Sequence, residues 1–162
     1  MKFAELLKEI FEESQGKPME LGSKKLQTHL MLVLRNGSTG SLWPLTNVPE
    51  AKYNRRDRED GFSNLNLPLW LLVRASAAAP VFFPSEMIDL HANDGKKQRF
   101  EFIDGGVSSY NNLALAMFLQ ATLPQYEMNY PTGRENLLLC SVGTGVLPLR
   151  FDPGALGQIN IN

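Results

Sequence analysis

The stretch Phe100-Glu101-Phe102-Ile103-Asp104-Gly105-Gly106-Val107 limits the possible folds more than any other part of this chain. Alternating aromatic and β-branched residues specify a short buried strand, and the two glycines let the backbone leave it through torsions that other residues avoid. Asp104 then stands at the carboxyl end of a strand. Ligands of open α/β sheets bind along that rim, so its carboxylate is a candidate for acid or base work, with Gly105 and Gly106 supporting the turn. The same residues also satisfy a plain turn, because Asp and Gly are what turns select.

The 162 residues fit a single domain, 1–162, with a real core, and residues 151–162 read as a loosely ordered tail. Sixteen Lys plus Arg against seventeen Asp plus Glu leave a net charge of −1, so no bulk field draws nucleic acid or an anionic membrane. One cysteine excludes an intrachain disulfide, and the apolar setting of Cys140 reads as a buried small hydrophobe. His29 falls in an apolar strand and His91 at the mouth of a turn, neither with metal-ligand spacing, so no metal or cofactor is expected. No apolar run approaches the roughly eighteen residues of a membrane span. Met1-Lys2-Phe3-Ala4-Glu5 opens an amphipathic pattern rather than a signal peptide, which makes the chain cytoplasmic in expectation and leaves an upstream export segment open.

Along the chain, Phe3, Leu6, Leu7, Ile10 and Phe11 line one face of a helix over 3–13 that ends near Gly16 and Pro18. Residues 26–34 read as a strand buried on both faces, and 36–40 as a turn into a returning edge segment that can accommodate Pro44. Residues 47–67 are irregular, with the interleaved charges of Asn54-Arg55-Arg56-Asp57-Arg58-Glu59-Asp60 forming a solvated loop. Pro68 opens a buried helix that closes at Ala79-Pro80, with Ser76 packed inside it, and 81–84 leave as an extended apolar segment. Residues 86–90 and 99–103 flank Asp94-Gly95 as a hairpin. Candidate caps among Ser108, Ser109, Asn111 and Asn112 precede a helix over 113–121. The run 137–142 reads as a central parallel strand, ending with Gly143-Thr144-Gly145 at the rim of Asp104.

Four stretches together resemble the patatin-like phospholipase family: PLTNVPEAKYN from Pro44, LWLLVRASAAAPVFFP from Leu69, FIDGGVSSYNN from Phe102 and LLLCSVGTG from Leu137. The resemblance implies an α/β fold, a partial three-layer α/β/α sandwich with a mostly parallel central sheet. It also implies a lipid acyl hydrolase that works with a Ser-Asp dyad, in which Asp104 matches the base. The Gly-x-Ser-x-Gly elbow that carries the family's serine does not occur in the chain, nor does its glycine-rich oxyanion segment. The expected function is therefore a fragment of such a hydrolase contributing Asp104 alone, with a lipid or acyl ester as substrate of the whole protein. The alternative is a non-catalytic module that binds lipid or protein. A half-domain of this kind would expose a sheet edge and invite self-association.

Overall fold

A computed structural model describes residues 2–54, 63–91 and 97–143 of the protein. Helix α1 spans Lys2–Ile10 and buries Leu7. It stops short of residue 13 because strands β1 (Glu12–Ser14) and β2 (Lys17–Pro18) form a small antiparallel hairpin. Gln15 (φ 50°) and Gly16 (φ 79°) both take left-handed torsions, as a tight two-residue hairpin turn requires.

Strand β3 (Met31–Asn36) starts later than the pattern from Leu26 suggests and pairs antiparallel with β4 (Leu42–Thr46). The buried Asn36 closes the intervening turn, its Oδ1 accepting the N–H groups of Ser38 and Thr39. β4 lies at the edge of its sheet, where Pro44, without an N–H, costs no central ladder bond. Helix α2 (Leu69–Ser76) follows Pro68, and the hairpin of β5 (Glu86–His91) and β6 (Lys97–Asp104) comes next. Helix α3 (Ala114–Thr122) begins where Asn112 Oδ1 accepts the N–H of Ala114 at 3.0 Å.

The main sheet has the order β4-β3-β6-β5, and every strand pair among the described residues is antiparallel. This corrects the expected mostly parallel sheet: the described residues form a small mixed α/β domain with antiparallel sheets. Few residues separate β3 from β4 and β5 from β6, and a parallel pair would need a crossover of about a dozen residues or more. The run 137–142, read as a parallel strand, forms no strand. Leu138 (93%) and Val142 (91%) are exposed, and so is Cys140, which is therefore not a buried hydrophobe.

The core lies between one face of the sheet and α2. Leu34, Leu45, Ile88 and Phe102 meet Leu69, Leu72 and Ala75, with Leu21 closing one side. Trp43 packs against Phe100 and Phe102 with ring centroids 5.0 and 4.9 Å away. Two further expectations change. Residues 81–83 form an exposed turn rather than an extended segment, since the N–H groups of Phe82 and Phe83 both bond the Ala79 carbonyl. His29 lies outside β3, exposed, with Nδ1 hydrogen-bonded to the Tyr130 hydroxyl. Burial and the nearby Glu50 raise the pKa of that phenol. The charged stretch 55–60, the turn expected around Asp94-Gly95, Thr144, Gly145 and the tail 151–162 lie outside the described residues.

Candidate functional site

Asp104 is the last residue of β6, opposite Leu34 of the central strand β3. The alternation that buries Phe102 brings the chain to this point, and there the ladder ends. Gly105, Gly106 and Val107 form a single 3₁₀ turn, for which Asp104 is the cap: its Oδ1 accepts the Gly106 N–H at 2.6 Å. Asp104 is half-buried, and among the described residues its Oδ2 has no hydrogen-bond partner. One carboxylate oxygen is thus anchored by the turn that follows it, and the other is bonded to none of the described residues. The Asp104 N–H donates to the Ala78 carbonyl at 3.0 Å, which ties the strand end to the chain leaving α2.

Each glycine of the motif has a separate steric reason. A Cβ on Gly105 would sit 2.3 Å from the Val33 carbonyl oxygen, so no side chain fits between this turn and β3. A Cβ on Gly106 would stand 2.9 Å from Asp104 Oδ1 and 3.3 Å from Asn111 Oδ1, crowding the oxygen that its own N–H holds. The Val33 carbonyl also accepts the Ser76 hydroxyl at 2.8 Å. Ser76 therefore serves the packing under the turn, and its proton is committed there. Arg35 Nη1 donates to the Val107 carbonyl at 2.8 Å, and the Ser108 hydroxyl donates to the Gly105 carbonyl, fixing the far side of the turn.

Two of these supports escape sequence reasoning. Arg35 and Ser76 reach the turn from β3 and α2, and nothing in their local patterns announces it. Of the distal segment expected at this rim, Ser141 approaches it: its hydroxyl lies 3.3 Å from Asn112 Oδ1. No cluster of three His, Cys, Asp or Glu side chains among the described residues is placed to hold a metal ion. No helix among them is long and apolar enough to cross a membrane.

No family model matches the chain. Individual proteins do. Patatin-11 of Solanum tuberosum is 28% identical over 152 residues, covering 84% of this chain, and Patatin group J-1 of the same plant matches to the same extent. The chain is similar to the patatins. Patatin-2-Kuras 4 of Solanum tuberosum is 30% identical over a shorter stretch of 86 residues, half of this chain. The chain spans 39% of the length of Patatin-11 and 23% of Patatin-2-Kuras 4. A match covering 84% of 162 residues spans position 104 wherever it begins, so the aligned stretch runs across the Asp-Gly-Gly turn.

Proposed function

We propose that Asp104 is the base of a Ser-Asp dyad in a lipid acyl hydrolase of the patatin type. The serine and the oxyanion-hole donors come from a segment outside these 162 residues. The observation that supports this most is the state of the carboxylate at the strand end, with Oδ1 held by the Gly106 N–H and Oδ2 bonded to none of the described residues.

In this reading the serine Oγ attacks the acyl carbonyl as its proton passes to Asp104 Oδ2. The ester C–O bond then breaks, and the same proton goes to the leaving alcohol. Water repeats the sequence on the acyl-serine, giving up a proton to Asp104, and the returning serine takes it back. A carboxylate is a weak base in water, but pinned within reach of the hydroxyl in a dry cleft it suffices. The anchored turn keeps it in one orientation through both halves of the reaction.

An activity-based fluorophosphonate probe tests the division of labour. A longer protein in which the chain follows a Gly-x-Ser-x-Gly segment becomes labelled, and the 162-residue chain does not. Labelling of a serine within the 162 residues would overturn the assignment of the nucleophile to another segment.

A further inference from the structure

The packing around the Asp104 turn requires glycine at two consecutive positions, and that leaves the peptide between them free to rotate. A Cβ on Gly105 would meet the Val33 carbonyl oxygen at 2.3 Å, and one on Gly106 would crowd Asp104 Oδ1 at 2.9 Å. The same peptide carries the Gly106 N–H that holds Asp104 Oδ1 at 2.6 Å. A peptide flanked by two glycines turns over by rotation about Gly105 ψ and Gly106 φ, with no Cβ on either side to resist it. Neither glycine holds a positive φ, and Gly106 would acquire one on turning over, a torsion that glycine adopts about as readily as a negative one. The turned-over peptide would present the Gly105 carbonyl oxygen to the carboxylate in place of the N–H, and the two oxygens would repel.

We propose that Ser108 is a positioning residue for Asp104, acting by locking the plane of the Gly105–Gly106 peptide. Its hydroxyl donates to the Gly105 carbonyl, the oxygen end of the peptide whose N–H end holds the carboxylate. The hydroxyl is itself oriented, because Oγ accepts the Tyr110 N–H at 3.1 Å and keeps its own proton to give. Donating and accepting at once strengthens both bonds. Arg35 of β3 sets the approach: its Nη1 donates at 2.8 Å to the Val107 carbonyl, the oxygen of the peptide that leads into Ser108. Two peptide planes and the bonds between them thus run from β3 to Asp104 Oδ1. Ser108 is not the nucleophile of the dyad, since its proton is committed to the Gly105 carbonyl. The assignment rests on the reading of Asp104 as a base, which must keep one orientation through both halves of the reaction.

The test has two arms. In the isotope-labelled 162-residue chain, Ser108→Ala raises the hydrogen-exchange rate of the Gly106 amide about tenfold and moves its proton resonance upfield. Ser108→Thr keeps the hydroxyl and leaves both signals near wild type. Ser109→Ala, at the exposed neighbouring position, changes neither. Ser108 is only partly buried, so the alanine variant keeps its fold, which circular dichroism checks. In the longer protein that supplies the Gly-x-Ser-x-Gly serine, Ser108→Ala lowers kcat about tenfold with KM unchanged, the size of one lost hydrogen bond, and Ser108→Thr restores it. Wild-type exchange and resonance of Gly106 in Ser108→Ala overturn the proposal. So does wild-type kcat in Ser108→Ala where Asp104→Asn abolishes turnover, and so does labelling of Ser108 by a fluorophosphonate. Undiminished turnover in Asp104→Asn overturns the dyad instead, and the Gly106 signals still decide whether Ser108 locks the peptide.

Discussion

At Gly105 a single methyl group decides whether the site can form. Alanine there would place Cβ 2.3 Å from the Val33 oxygen, against backbone that cannot rotate away. Gly105→Ala is therefore expected to cost roughly 1–3 kcal/mol or more in urea denaturation, in line with overpacked cores. Gly106→Ala meets side-chain oxygens that can move, and is expected to cost less. A smaller loss for Gly105→Ala than for Gly106→Ala would contradict this account of the turn. Ser76→Ala strips the Val33 carbonyl of its hydroxyl donor beneath the same turn, for an expected loss of about 1 kcal/mol without loss of fold. Thermal and urea unfolding of that variant check it. The strand end at Asp104 is legible in sequence because alternation and a glycine pair are local signals. The Ser76 bond is not, since its partner lies 43 residues away.

Among the elements, α2 joins the core to the exposed turn at 81–83 through Arg74, which is buried, lies over the Phe83 ring and is paired with the partly exposed Glu86. Arg74→Met keeps much of the volume and leaves Glu86 without its cation. The expected cost is about 2 kcal/mol, below that of a fully buried pair because Glu86 stays partly wet. Adding Glu86→Gln should restore part of the loss, and a double variant no more stable than Arg74→Met would show that the pair contributes nothing. Here too legibility follows physics. The β3–β4 and β5–β6 pairings come from turn chemistry between short apolar runs, and α2 from its apolar faces between two prolines. The end of α1 does not, because Phe11 continues the helical period while the left-handed Gln15 and Gly16 fold the chain back. The run 137–142 misleads for another reason: apolar composition asks for burial but does not name a partner strand.

For the whole molecule, the parallel sheet followed from family resemblance and from that one run, whereas the short connections between neighbouring strands already favoured antiparallel pairing. What the sequence carries best is the order of its motifs, and the similarity to the patatins extends across 84% of the chain. The dyad reading stands or falls on one carboxylate. Its most direct test is the turnover of a p-nitrophenyl ester by the longer protein that supplies the Gly-x-Ser-x-Gly serine, with and without Asp104→Asn. Asparagine keeps the shape and an oxygen to accept the Gly106 N–H but cannot take a proton from the serine. The account predicts a fall in kcat of about 10²–10⁴-fold, with KM little changed and the fold intact by circular dichroism. Undiminished turnover in Asp104→Asn would contradict it.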